Sequence, residues 1–167
     1  MAFELEPSEV RAAKIAHELF MVCLGALLLL GPMSIFLGIG QFAVLIPLLF
    51  SSLFVVYTYF KVTRADSWFV AMHWRQALRN YRWLFIGYGV TALILLLSWL
   101  VESNSSANSP SQFLAVALIR IGVMPSIIMV FACFVMENGA LNQALRHEVP
   151  ERLVKAFPPP ESLVKSE

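Results

Sequence analysis

A single arginine lies well inside an apolar part of the chain. Arg120 belongs to the apolar segment 113–136 and stands seven residues after its first residue, Phe113, which is about 10 Å along a helix. A charged side chain at the centre of a membrane costs about 2.5–3.5 kcal/mol, and such residues tend to pair or to mark a functional contact. Arg120 therefore either has an intrachain role, in which its side chain snorkels towards the membrane surface or pairs with Glu102, or it contacts an anion, a substrate or another subunit. The intrachain interpretation is favoured, because no second buried charge accompanies Arg120.

Histidines are the next side chains with chemical potential. His17, His73 and His147 all fall where we predict the cytoplasmic ends of helices. A membrane haem needs axial imidazoles that face into a helical bundle, and these positions are too peripheral. Their spacing also matches no metal-ligand motif. We therefore predict no metal and no other cofactor.

Carboxylates and serines do not form a recognisable reaction centre. Proton-driven transport needs an acid embedded in the membrane, whereas Glu18, Glu102 and Glu137 all stand at the ends of apolar segments. The chain contains no GxSxG, no HExxH and no phosphate-binding loop, the motifs that would indicate serine, zinc or phosphate chemistry. We predict that the protein is not an enzyme.

The elements that carry these residues are predicted from composition. The chain has 167 residues, of which 59% are hydrophobic and 14% charged, against about 45–50% and about 25% in soluble domains. The apolar residues lie in long uninterrupted blocks, as in membrane-spanning helices. No cluster of basic residues stands on a soluble domain, so a nucleic-acid partner is not predicted.

Four apolar segments are long enough to cross a bilayer. They cover residues 19–37, 42–60, 83–101 and 113–136, and 19 residues of helix span nearly 30 Å. The uncharged connection 38–41 is short enough to return the second segment beside the first. The sequence thus predicts an all-α membrane protein with four transmembrane helices in two antiparallel hairpins and an amphipathic cytoplasmic helix between them. The predicted regions are an N-terminal interfacial helix (1–18), a first hairpin (19–60), a basic segment (61–82), a second hairpin (83–136) and a C-terminal helix and tail (137–167).

The basic segment predicts the orientation. It carries five basic residues and one acid, Asp66, whereas the polar connection 102–112 has neither lysine nor arginine. Lysine and arginine near spans are retained on the cytoplasmic side. We therefore predict a multi-pass protein of a bacterial inner membrane with both termini in the cytoplasm.

The same segment has helical spacing with two different faces. Val70, Trp74 and Tyr81 share one face, and Arg75, Arg79 and Arg82 share another. Tryptophan and arginine on opposite faces suit the headgroup layer of a membrane. The helix either only anchors the bundle or also docks a partner or anionic lipid headgroups. The residues predicted to form such an interface are Trp68, Trp74, Arg75, Arg79, Arg82 and Trp83.

These features predict a protein that acts by contact. We expect a small polytopic membrane protein that serves as a subunit or accessory factor of a larger membrane complex, bound through its helices and its cytoplasmic face to other membrane subunits. The alternative is a small transporter or channel that is completed by homo-oligomerisation, with Arg120 facing the pathway.

Overall fold

Helices account for nearly all the regular structure. The structure, a computed structural model, describes residues 3, 5–36, 45–106, 109–161 and 163. The predicted turn at 38–41 lies outside these residues. Within them the chain forms six α-helices and no strand, which confirms the prediction of an all-α protein. The helices are α1 (Pro7–Phe36), α2 (Leu45–Thr63), α3 (Trp68–Ser103), α4 (Pro110–Gly122), α5 (Met124–Leu145) and α6 (Glu151–Ala156).

Length and composition make this a multi-pass membrane protein. Four stretches of the described chain are helical, long and apolar enough to cross a bilayer: Pro7–Leu30, Leu45–Thr63, Trp68–Ser103 and Pro110–Leu145. The prediction of four spans is confirmed at this level. The α2 stretch is the least covered by protein, with 17% of its apolar window buried, so most of its surface is available to lipid or to other helices.

The basic segment and the third span form one helix. Ser67 caps α3, and its hydroxyl accepts a hydrogen bond from the backbone N–H of Val70 at 3.3 Å. From there α3 continues for 36 residues, about 54 Å, because no proline interrupts the sequence between Trp68 and Ser103. The basic segment from Trp68 onward and the third candidate span therefore belong to one continuous helix, with no break at Trp83.

The fourth span is divided in two. Helix α4 ends at Gly122 and α5 begins at Met124, where Pro125 cannot donate a backbone hydrogen bond to the preceding turn. The backbone N–H of Ser126 donates instead to the Thr91 hydroxyl on α3 at 3.2 Å. A Cβ added to Gly87, one turn before Thr91, would lie 2.6 Å from Cβ of Met129. The division is thus held in close contact with α3.

The apolar core lies mainly at one end of the bundle. We call this the basic end; it is the end at which α2 finishes and α3 begins. Buried side chains from α1, α3, α5 and α6 form the core cluster, and no residue of α4 belongs to it. Phe20 of α1 stacks on Tyr81 of α3 with ring centroids 3.8 Å apart. The basic end is therefore the part that fixes how the helices pack.

Phe3 and the turn that follows α5 meet at the basic end. Helix α5 closes with His147 in a left-handed conformation (φ 59°), and the N–H of Glu148 donates to the carbonyl of Gln143 at 2.8 Å. The N–H of Phe3 donates to the His147 carbonyl at 3.1 Å, and the Phe3 ring meets Trp68 edge-on. These contacts cover the start of α3.

Candidate functional site

Four polar side chains from three helices meet inside the basic end. Nδ1 of His17 on α1 lies 2.7 Å from Oε2 of Glu137 on α5, and Nε2 of His17 lies 2.9 Å from Nδ1 of His73 on α3. Asn80 of α3 donates from Nδ2 to the second carboxyl oxygen of Glu137. We call His17, His73, Asn80 and Glu137 the polar network. It joins residues up to 120 positions apart in the sequence.

Burial makes the polar network an unusual feature. His17, His73 and Glu137 are fully buried, and Asn80 is 7% exposed. Ionisable side chains at such depth are rare unless they are paired, because an uncompensated charge in a dry interior costs several kcal/mol. Here both His17 nitrogens and both Glu137 oxygens have partners within 2.9 Å, whereas Nε2 of His73 is buried and has no hydrogen-bond partner among the described residues. The Phe69 ring packs edge-on against the His73 imidazole, with centroids 4.5 Å apart, and closes one side.

Two arrangements of protons in which Nδ1 of His73 accepts from Nε2 of His17 leave the polar network without net charge. In the first, a protonated His17 donates to the Glu137 carboxylate and to Nδ1 of His73. In the second, a protonated Glu137 donates to Nδ1 of a neutral His17, which still donates from Nε2 to His73. The two differ by one proton that moves between Glu137 and His17. In both arrangements the network cross-links α1, α3 and α5 without burying an uncompensated charge, which would be costly in this surrounding.

Helical spacing explains why each member faces inward. On α1, His17 follows the buried Ala13 by four residues and precedes the buried Phe20 by three. On α5, Glu137 lies between the buried Cys133 and Ala140. The small neighbours Ala13, Cys133 and Ala140 allow the helices to approach closely around the polar groups.

The peripheral placement of these residues predicted from sequence is wrong. His17, His73 and Glu137 stand at the ends of apolar segments, but α1, α3 and α5 continue past those ends and pack on one another. The ends of the segments are therefore interior positions of the bundle. Within the described residues no set of three or more histidines, cysteines or acids is arranged to hold a metal ion. The facing nitrogens of His17 and His73 are used in hydrogen bonding to one another.

The predicted interface residues are three tryptophans and three arginines, and the tryptophans differ from one another in exposure. Trp74 is 4% exposed and packs edge-on against Tyr57 of α2, so it belongs to the protein interior. The half-buried Trp68 donates from Nε1 to the Phe157 carbonyl at 3.1 Å. Trp83 is 47% exposed on the surface of α3. Of the predicted tryptophans, only Trp83 keeps a large part of its ring free for lipid or a partner.

The three predicted arginines line an open groove of about 930 Å³ between α2, α3 and α6. A fourth, Arg152 of α6, joins them, and no acidic residue lines the groove. None of the four makes an ion pair with a described residue. The Arg75 guanidinium lies over the Phe157 ring, 3.7 Å from its centroid, and is thereby held in place. We call this feature the arginine groove; its polar and aromatic lining is Tyr59, Arg75, Arg79, Tyr81, Arg82, Phe85, Arg152 and Phe157.

The predicted intramembrane pair is not formed. Arg120 and Glu102 are both exposed, and no ion pair joins them in the described structure. Arg120 lies in the last turn of α4, ten residues beyond Pro110, or about 15 Å along the axis. Its charge is thus directed away from the bundle and has no acidic partner among the described residues.

Comparison with known proteins gives no relative. No protein-family model, no curated protein and no solved structure matches this chain. The argument for function therefore depends on the geometry of this molecule alone.

Proposed function

We propose that this protein is a subunit or accessory factor of a larger assembly in a bacterial inner membrane. It has two helical hairpins, both termini in the cytoplasm and the basic end at the cytoplasmic face. Arg120 is its contact within the bilayer, and the partner is a membrane helix that presents an aspartate or glutamate at the same depth.

The observation that carries this proposal is that Arg120 is exposed and makes no ion pair with an acid in the described part of the chain. Charged residues in membrane spans face the interior of a bundle or a watery cavity and pair there. Arg120 faces outward from this bundle. If Arg120 lies outside its own bundle and yet faces the interior of a larger bundle, it lies at the contact between this chain and another subunit.

The rest of the apolar surface does not distinguish a subunit from a solitary membrane protein. Exposed leucine, valine and phenylalanine side chains on α2, α4 and α5 are what lipid requires of any spanning helix. The charge is the informative feature, because lipid tails offer it no hydrogen-bond acceptor. The carboxylate of an aspartate or glutamate on a neighbouring helix offers two acceptor oxygens.

The test is affinity purification of the tagged full chain from native membranes in a mild detergent, with partners identified by mass spectrometry. We expect Arg120→Leu to insert and accumulate normally but to lose its partner by about ten- to a hundredfold, the range for one charge-assisted hydrogen-bonded pair. The matched control is Phe113→Leu, which changes a side chain on the same helix that is 72% exposed and should leave the partner bound.

Two results would reject the proposal. One is the same set of partners at the same yield for the wild type and Arg120→Leu. The other is that a differently tagged copy of this chain is the only protein recovered. That second result would favour the alternative, a transporter or channel completed by homo-oligomerisation around Arg120.

A further inference from the structure

We propose that the arginine groove is a binding site for an anionic phospholipid of the cytoplasmic leaflet. The phosphate of the headgroup lies among Arg75, Arg79, Arg82 and Arg152, and an acyl chain follows the apolar part of the groove. This site is separate from Arg120, which belongs to α4 and does not line the groove.

Charge is the first argument. Four guanidinium groups line one groove, no carboxylate lines it, and none of the four is paired with a described residue. Like charges held together without a counter-ion repel, so an anion that enters gains from all of them. Guanidinium groups bind phosphate in a two-pronged geometry, and basic pockets beside spanning helices on the cytoplasmic side suit anionic headgroups.

Polarity along the groove is the second argument. On α3 the lining begins with Arg75, Leu78, Arg79, Tyr81 and Arg82 and ends with the apolar Phe85 and Ile86, so all the charges of this wall lie towards one end. This lining runs over about 16 Å in the direction of the membrane. The 19 residues of α3 that follow Arg82 contain no charge, so the arginines lie where headgroups lie and the apolar lining lies where acyl chains begin.

The α2 wall of the groove is uncharged, and its described lining residues are Val55, Tyr59 and Val62. Helix α2 ends at Thr63 and α3 begins at Trp68, so residues of α2 become deeper as their numbers fall. Val62 and Tyr59 line the shallow part of the groove, and Val55 lines the deep part. Tyrosine at this level is typical of a membrane–water boundary.

The depth of the groove favours a lipid over a protein segment. A soluble acidic peptide would meet the arginines but would leave Val55, Phe85 and Ile86 uncovered. A phospholipid covers both parts, because it has a phosphate at one end and an apolar chain at the other. The groove volume of about 930 Å³ accommodates a headgroup and the first part of a chain.

The test measures lipid retention by the delipidated full chain in mild detergent, with native mass spectrometry as the readout. The probes are cardiolipin, phosphatidylglycerol and phosphatidylcholine, each added at the same molar ratio. We expect both anionic lipids to be retained above phosphatidylcholine. The double variant Arg79→Gln/Arg82→Gln changes two exposed side chains and should reduce anionic-lipid retention at least about tenfold, since each arginine–phosphate bond is charge-assisted.

A matched control separates a site from general attraction. Lys61→Gln/Arg64→Gln removes the same charge from two exposed residues near the same end that do not line the arginine groove. We expect this variant to keep anionic-lipid retention within about twofold of the wild type, because screened surface charges act weakly at a distance. Thermal unfolding of both double variants checks that the fold is intact.

Three outcomes would overturn the lipid site. An equal loss in the two double variants would show nonspecific attraction. Equal retention of phosphatidylcholine and the anionic lipids would show that the arginines do not select. If Arg79→Gln/Arg82→Gln instead lost a co-purifying protein and retained its lipid, the groove would be a protein-docking surface.

Discussion

Replacing Glu137 by leucine should destabilise the fold strongly. The substitution removes the acceptor for Asn80 Nδ2 and the partner of His17 Nδ1, both of which stay buried. Each buried polar group left without a partner costs about 1–3 kcal/mol, and breaking a buried charged pair from one side costs about 3–5 kcal/mol. We therefore expect Glu137→Leu to lower the free energy of unfolding by about 3–5 kcal/mol.

Glutamine at the same position should be tolerated. Its carbonyl oxygen can accept from Asn80, and its amide can donate to Nδ1 of a neutral His17, which still donates to His73 from Nε2. The hydrogen bonds of the second proton arrangement are all kept, so Glu137→Gln should cost less than about 1.5 kcal/mol. The contrast between leucine and glutamine separates a hydrogen-bonded network from simple filling of space.

The assay is unfolding of the purified full chain in mixed micelles by titration with sodium dodecyl sulfate, followed by far-ultraviolet circular dichroism. Glu102→Leu is the control, because it makes the same chemical change at an exposed position and should stay within about 0.5 kcal/mol of the wild type. A Glu137→Leu protein as stable as the Glu102→Leu protein would refute the claim that the polar network holds α1, α3 and α5 together.

Two further predictions concern the backbone. Gly87→Ala should destabilise the protein by about 1–3 kcal/mol, because its new methyl group would lie 2.6 Å from Cβ of Met129. The control Gly89→Ala should not lower stability, since nothing lies within 4 Å of its new methyl group. The same titration measures both variants, and equal losses would contradict the close packing of α3 on α5. His147→Gly should raise stability by about 0.5–1 kcal/mol, since His147 occupies a left-handed position at the end of α5 that favours glycine; a loss of stability would mean that the His147 side chain makes a contact that matters more than this strain.

Hydropathy was sufficient to predict the helices but not how far they extend. Apolar blocks of 19 residues or more predicted four spans, and four such stretches are found. The sequence prediction set the first residue of the third span at Trp83, because the charged segment ends at Arg82. The helix has no reason to begin there, because charged residues are good helix formers and Ser67 supplies the cap. Polarity marks the edge of a membrane, whereas caps and prolines mark the ends of a helix.

The polar network was missed because its members belong to different helices. Each lies in line with buried small or apolar residues three or four positions away, as Glu137 does with Cys133 and Ala140. That register was a usable signal that these side chains face inward. Tertiary packing decides which helices become neighbours, through residues such as His17 and Glu137, which are 120 positions apart. A local sequence pattern carries no information about such a pairing.

The groove shows the opposite case. Helical spacing predicted that Arg75, Arg79 and Arg82 share one face of the helix, and all three line the same groove. The contribution of Arg152 and Phe157 could not be predicted, because α6 returns to α3 only through the turn that follows α5.

The most direct test of the central claim is photo-crosslinking next to Arg120 in native membranes. A photoreactive residue at Ile121, which is 62% exposed on α4, is compared with one at Leu53, which is 69% exposed on α2. We predict that position 121 yields a discrete product with a different membrane protein, joined within about one helical turn of an aspartate or glutamate in one of its spans. Lipid adducts alone at position 121, at the same yield as at position 53, would contradict a subunit contact at Arg120.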